Sequence, residues 1–130
     1  MSEHQEQTAL FNILRMYEDK YPELKWVHAI PNGGHRHISV ARKMKAEGVK
    51  AGVWDLFVPV IKDEVKCHTF IGYCGLYVEM KVKPNKLTDN QKAFRDEVGD
   101  AYEWAVCYSA VEACHVIGEY LDIYELKGVE

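Results

Sequence analysis

The first part of the chain repeats apolar residues every three or four positions. They fall at Leu10, Ile13, Leu14 and Tyr17. This spacing places them on one face of a helix, and Pro22 marks its end, so we predict a helix over residues 3–20. The same period, together with capping residues, predicts further helices over residues 38–47, 88–98 and 110–120.

The middle of the chain changes to a period of two. Over residues 76–82, apolar side chains alternate with Tyr77, Glu79 and Lys81. This alternation predicts a strand on which Glu79 and Lys81 share a face, about 6.6 Å apart. The charged residues 62–66 are predicted to form a turn. Shorter apolar runs predict four more strands, over residues 26–30, 54–60, 67–71 and 104–108.

The order of these elements is α-β-α-β-β-β-α-β-α. It predicts one central sheet flanked by helices, in a single α/β domain over residues 1–130. No apolar run reaches about 18 residues, so we expect no membrane-spanning helix. The polar, acidic N-terminus is unlike a signal peptide. Four cysteines lack any CxxC pairing, and we expect reduced, buried thiols in a cytoplasmic protein rather than a zinc site: Cys67, Cys74, Cys107 and Cys114.

Charge is distributed unevenly along the chain. The net charge is −4, yet residues 24–50 carry +5 and residues 81–95 carry +4, whereas residues 96–130 carry −8. A polyanion bound on one face of the protein suits this asymmetry. Solvated helix faces produce the same charge blocks, so charge alone does not decide between the two interpretations.

Three ionisable residues, Asp55, Glu79 and Lys81, interrupt otherwise apolar runs. Ionised groups on buried strands cost on the order of several kcal/mol unless something pairs with them. Two carboxylates from adjacent strands suit Mg²⁺ or Mn²⁺, with the backbone carbonyl of Met80 as a third ligand and Lys81 orienting the attacking water. The alternative is that Glu79 and Lys81 form an ion pair on a solvated sheet face.

Three segments resemble, in order and spacing, the core motifs of VRR-NUC domains, which are nucleases of the PD-(D/E)XK superfamily. They are Gly52-Val53-Trp54-Asp55-Leu56, Gly75-Leu76-Tyr77-Val78-Glu79-Met80-Lys81 and Leu87-Thr88-Asp89-Asn90-Gln91. Phage and bacterial members are also similar at residues 28–36 and 45–50. The resemblance implies a restriction-endonuclease-like core, with a four-stranded mixed sheet between helices. It assigns the metal ligands to Asp55 and Glu79 and the catalytic lysine to Lys81.

The resemblance also implies a supporting role for Gln91, directed toward the metal-bound water or the phosphate. Thr88 and Gln91 equally fit a capping box, which needs no active site. One departure from the superfamily is Trp54, because many members have proline before the first acid. VRR-NUC sequences vary at this position, so the departure does not count against catalysis.

Related nucleases contribute a glutamate from the first helix, and the candidates here are Glu3 and Glu6. We prefer Glu3 because it shares a helical face with Leu10 and Leu14, although both acids also suit the helix dipole. Basic and glycine-rich positions form the predicted DNA contacts: Asn32, Gly33, Gly34, Arg36, Arg42, Lys43 and Lys50. Glycines let backbone N–H groups approach a phosphate, but an ordinary turn would use the same residues.

These observations predict a Mg²⁺- or Mn²⁺-dependent endonuclease that hydrolyses DNA phosphodiester bonds. Resemblance to stand-alone family members implies a homodimer that acts on branched DNA, such as a four-way (Holliday) junction, in a bacterial or phage-infected cell. Two alternatives remain open. One is a non-catalytic DNA-binding module with a nuclease fold, and the other is a restriction-type enzyme specific for a short sequence.

Overall fold

The computed structural model describes residues 1–31, 37–66 and 69–130, with only the backbone described for residues 64–66 and 69–71. Its helices and strands, in chain order, are α1 (Glu3–Tyr17), a 3₁₀ helix (Pro22–Trp26), β1 (His28–Ala29), α2 (Ile38–Ala46), β2 (Leu56–Val58), β3 (Lys62–Lys66), β4 (Thr69–Tyr73), β5 (Leu76–Met80), α3 (Asp89–Val98), β6 (Glu103–Cys107), α4 (Ala110–Leu121) and α5 (Tyr124–Lys127).

The described strands form a four-stranded mixed sheet in the order β1-β2-β5-β6. Strand β2 runs antiparallel to both β1 and β5, whereas β5 and β6 are parallel. A parallel pair needs a crossover connection, and α3 lies in the segment that joins β5 to β6. The predicted α/β class and four-stranded mixed sheet with flanking helices are therefore confirmed.

The hydrophobic core lies on one face of this sheet, against α1 and α4. Alternation along β2 and β5 sends Leu56, Val58, Leu76 and Val78 to that face, where all four are fully buried. Leu10 and Leu14 of α1 and Ile117 of α4 pack onto the same cluster. The apolar residues that follow the helical period and those that follow the strand period therefore pack in one core, as the patterns predicted.

Aromatic rings cover part of the opposite face. Tyr77 of β5 and Trp104 of β6 stack with their ring centroids 4.8 Å apart, and Phe94 of α3 makes edge contacts with both rings. Tyr77 is also 4.5 Å from Phe57 of β2, measured between ring centroids. These contacts hold α3 against this face, next to Glu79 and Lys81.

Residues 62–66 form strand β3 rather than the predicted turn. They pair with β4 in a two-stranded antiparallel ribbon outside the main sheet. A separate ribbon has no face that must be buried in the core, so its residues need not show apolar alternation. The strand predicted over residues 67–71 is β4, which extends to Tyr73, and residues 67 and 68 lie outside the described part of the chain.

Other differences concern the ends of elements and one cysteine. Helix α1 ends at Tyr17, and the strand predicted over residues 26–30 is reduced to β1, which follows the 3₁₀ helix. Helix α5 was not predicted. Cys107 and Cys114 are buried as expected, but Cys74 is exposed. None of the helices in the described ranges has the length and apolar character needed to cross a bilayer.

Candidate active site

Asp55 and Glu79 face each other across the β2–β5 pair. The register places Leu56 opposite Val78, so the next pair outward is Asp55 and Glu79. Each carboxylate accepts a backbone hydrogen bond from the other strand. Glu79 Oε1 accepts from the Asp55 N–H at 3.1 Å, and Asp55 Oδ2 accepts from the Met80 N–H at 2.8 Å. This reciprocal arrangement fixes both carboxylates against the backbone.

Lys81 lies on the same face of β5 as Glu79 and contacts it. Its Nζ is 3.5 Å from Glu79 Oε2, and the two side chains are only 9% and 3% exposed. The Lys81 backbone N–H donates to the Cys107 carbonyl at 2.9 Å, which continues the β5–β6 pairing. The structure therefore places this ion pair in a buried position, not on the solvated sheet face that was the alternative.

Burial makes Glu79 unusually basic. Loss of solvation, and next the negative charge of Asp55, raise the pKa of Glu79 from its ordinary value of 4.5 to about 8, and the ammonium of Lys81 opposes this shift. Without a metal ion, Glu79 therefore favours its protonated form at neutral pH, even with the Lys81 ammonium beside it. A divalent cation between them would compensate the charge that burial disfavours.

The donor set fits Mg²⁺ or Mn²⁺. Mg²⁺ typically uses one or two protein carboxylates and keeps several waters, and Asp55 and Glu79 provide two. Within the described ranges, no group of three or more His, Cys, Asp or Glu side chains converges at one point. Remaining ligand positions would therefore go to water, substrate or a backbone carbonyl. The Met80 side chain is buried in the core, and its N–H is bound to Asp55.

Gln91 forms the capping box that its sequence position suggested, and it also contacts Glu79. Its Oε1 accepts from the Thr88 N–H at 2.9 Å, while the Thr88 hydroxyl accepts from the Gln91 N–H, which completes a capping box. The same side chain donates from Nε2 to Glu79 Oε2 at 2.8 Å. The first turn of α3 therefore holds the amide in place so that it orients Glu79.

Trp54 anchors α3 above the carboxylates. Its side chain is 1% exposed, and its indole N–H donates to the Gln91 carbonyl at 3.0 Å. The indole ring also meets Trp104 edge-on, with centroids 5.0 Å apart. The residue that stands where many superfamily members have proline thus positions the backbone of Gln91, a role that the sequence alone did not indicate.

Gly52 permits the close approach of α3 to the loop before β2. Its φ is +90°, and a Cβ there would lie 2.7 Å from the Asn90 carbonyl oxygen. Gly48 has a similar φ of +102°, but a Cβ at that position would have nothing within 4 Å. The two glycines differ in steric surroundings while sharing the same left-handed backbone region.

We expect Gly52→Ala to destabilise the protein more than Gly48→Ala does. Both changes carry the cost of a left-handed alanine, about 1–2 kcal/mol, but only Gly52→Ala must also displace α3. Urea unfolding of the two variants measures the difference, which we expect to be at least about 1 kcal/mol. Equal destabilisation would show that the Gly52–Asn90 contact does not constrain α3.

The carboxylates open into a cleft of about 1080 Å³. Around Asp55, Glu79 and Lys81, its described lining comes from one face of α1, residues 29–31, residues 51–52 and the start of α3. Glu3 is part of this lining. Glu6 instead accepts a hydrogen bond from the Ala110 N–H at 2.6 Å, at the beginning of α4.

The structure places Glu3, the preferred glutamate, in the lining of the cleft together with Gln7. Both residues belong to the helical face of the buried Leu10 and Leu14, at i, i+4, i+7 and i+11. Glu6 lies to the other side of Leu10 and contacts the start of α4 instead.

Three of the predicted DNA contacts belong to the described part of the chain. Arg42 and Lys43 are on α2, Lys50 follows it, and all three side chains are exposed. None of them is among the described residues that line the cleft. The remaining predicted contacts, Asn32, Gly33, Gly34 and Arg36, lie outside the described residues.

Among solved structures, the chain is similar to one named "VRR_NUC domain protein". The two superpose with a TM-score of 0.67 at 24% sequence identity, over 94% of this chain and 89% of that chain. The chain has the fold of a VRR-NUC domain. No family model matches the sequence, and no curated protein does either. The VRR-NUC fold is thus recognised from the arrangement of elements, which confirms the fold that the motifs implied.

Proposed function

We propose that this chain is a metal-dependent DNA endonuclease, with residues 1–130 as one nuclease domain. The observation that carries this proposal is the pairing of Asp55 with the buried Glu79, with Lys81 and Gln91 bound to the same glutamate oxygen. Stability alone would not favour this arrangement, because burial and the neighbouring Asp55 charge both disfavour an ionised Glu79. The likeness in fold to a VRR-NUC domain protein supports the same conclusion.

Each residue has a distinct role in the proposed reaction. Asp55 and Glu79 would hold Mg²⁺ or Mn²⁺, with the Met80 carbonyl as the proposed backbone ligand. The bound ion would activate water and neutralise charge on the phosphate. Lys81 would position the attacking water through its ammonium group, and Gln91 would hold the Glu79 carboxylate in the orientation needed to bind the ion. We assign the glutamate from α1 to Glu3, since it lines the cleft and Glu6 is bound at the start of α4.

The substrate that we propose is branched DNA, such as a four-way junction, cleaved by a homodimer in the bacterial cytoplasm. A two-fold axis would present two such sites to two symmetric strands of a junction. The exposed cations of α2 and Lys50, with the residue 32–36 segment, would contact the phosphates. We favour recognition of DNA shape over recognition of sequence because we see no base-reading motif in these 130 residues.

Cleavage of a labelled four-way junction tests the proposal, with a linear duplex of the same sequence alongside and with Mg²⁺ or Mn²⁺ present. We expect wild-type protein to nick the junction selectively and Lys81→Ala to lose that activity. Folding of Lys81→Ala is checked by circular dichroism. Binding of both DNAs without any cleavage by wild type would instead support a non-catalytic module. Cleavage of only one short sequence in the duplex would support a restriction-type enzyme.

A further inference from the structure

Helix α1 forms one wall of the cleft, and none of the predicted DNA contacts lies on this helix. The side chains of α1 that line the cleft are Glu3, His4, Gln7, Thr8, Phe11 and Arg15. Each of these residues has another member of the set three or four positions away, so together they form one continuous face of the helix. The buried Leu10 and Leu14 anchor another side of α1 in the core. The wall is therefore held rigidly beside the carboxylates.

The two ends of this wall differ in charge. Glu3 lies at the end where Asp55 and Glu79 also line the cleft, and Arg15 lies about three turns farther along. Arg15 is exposed, and its Nη1 donates to Asn12 Oδ1 at 3.2 Å, which orients the guanidinium from its own helix. The described lining contains two Lys or Arg residues, Lys81 and Arg15. Lys81 is paired with Glu79, so Arg15 is the one whose charge can face the DNA.

The length of the wall matches a defined tract of DNA. Twelve residues separate Glu3 from Arg15, which is about 18 Å of helix at about 1.5 Å per residue. Duplex DNA rises about 3.4 Å per base pair, so about 18 Å corresponds to about five base pairs. Guanidinium groups bind phosphate oxygens through paired hydrogen bonds, and they are suited to fixing the position of a DNA backbone.

We propose that α1 is the second wall of the DNA groove and that Arg15 binds a backbone phosphate about five base pairs from the scissile bond. This inference rests on the proposed function and adds the extent of substrate that the protein contacts. Gln7, between the two ends, supplies amide donors to the intervening backbone. The enzyme therefore contacts about five base pairs of one duplex arm along α1, and this contact does not depend on the cations of α2.

Binding is measured by fluorescence anisotropy in the Lys81→Ala background, so that Mg²⁺ can be present without cleavage. The DNA is a junction whose arms are either about ten or about three base pairs long. With long arms, we expect Arg15→Ala to weaken binding about five- to tenfold and to reduce the salt dependence of binding by about one phosphate contact. With short arms, we expect no effect. Arg15→Lys should retain the salt dependence.

The matched control is Arg95→Ala, because Arg95 is on α3, is paired with Asp96 and is absent from the described lining. An equal effect of Arg15→Ala on both arm lengths, or none on either, would overturn the inference. Wild-type cleavage in that case would leave the proposed function standing. If wild-type protein never cleaves but Arg15→Ala weakens binding only to the long-armed junction, α1 contacts DNA as proposed and the proposed nuclease activity is wrong.

Discussion

Replacing Asp55 by asparagine is expected to abolish cleavage and, at pH 8 without metal, to stabilise the protein. Asparagine has the shape of aspartate and can still accept the Met80 N–H, while its amide group turns a donor toward Glu79. The variant therefore keeps the local hydrogen bonds but loses one of the two proposed metal ligands. We expect the cleavage rate to fall by about 10³-fold or more, which corresponds to about 4 kcal/mol of transition-state stabilisation.

Stability should change in the opposite direction to activity. In the metal-free protein, the Asp55 charge is the second cause, after burial, of the raised pKa of Glu79. Removing that charge relieves its repulsion with the buried Glu79 carboxylate, so unfolding in EDTA at pH 8 should require more urea. A gain in stability with a loss of activity is typical of residues that are held in place for function.

The matched control for this change is Glu112→Gln. Glu112 also accepts a backbone hydrogen bond, from the Tyr108 N–H, but it lies outside the described lining of the cleft. It should retain wild-type cleavage and gain no stability at pH 8. Wild-type cleavage by Asp55→Asn in the same concentration of Mg²⁺ would remove Asp55 from the site and contradict the proposed mechanism.

The carboxylate pair illustrates what sequence patterns can predict. The period of two in β5 placed Glu79 and Lys81 on one face, and local chain geometry is sufficient for that conclusion. Their burial could not be derived in the same way, because it depends on α3, which Trp54 holds through the Gln91 carbonyl. The resemblance to VRR-NUC domains supplied the fold and brought Asp55 and Gln91 into one hypothesis. The contact that each of them makes with Glu79 is a tertiary contact, which local chain geometry does not predict.

The errors have a common physical origin. Strand β3 carries charged residues and pairs with β4, outside the four-stranded sheet, so its sequence need not show the apolar alternation of a core strand. The cleft wall on α1 was missed because polar residues on a helix give no signal of what lies opposite them. Arg15 and Glu3 came to line one cleft only through the packing of α1 beside the sheet.

The stability of the metal-free protein is expected to fall as the pH rises from about 5 to about 8, and Mg²⁺ is expected to restore it. Glu79 has its ordinary pKa of 4.5 when unfolded and a pKa of about 8 when folded. Between these values the folded state binds one more proton than the unfolded state, so raising the pH favours unfolding. Below the lower value both states are protonated, and this stabilising difference is fully present. We expect a loss of about 2–4 kcal/mol across the window.

Bound Mg²⁺ should restore the stability lost at high pH, because it would take the place of the proton on Glu79. Below about pH 8, binding of Mg²⁺ at Glu79 must displace that proton, so the apparent affinity should rise up to about tenfold per pH unit. At a Mg²⁺ concentration of about 100 times the dissociation constant, binding to the folded state alone adds about 2.7 kcal/mol of stability. The largest rescue by metal is therefore expected near pH 8, where the metal-free protein is weakest.

Urea unfolding at pH 5, 6.5 and 8, each in EDTA and in excess Mg²⁺, measures both effects. Asp55→Asn is the control, because the contributions of all other titrating groups are common to both proteins and cancel in the difference. The variant should show a shallower loss of stability with pH and little response to Mg²⁺. If wild type and Asp55→Asn lost the same stability between pH 5 and pH 8 in EDTA, the Asp55 charge would not hold a proton on Glu79. The carboxylate pair would then not need a cation to compensate its charge, and the physical basis of the proposed metal site would be lost.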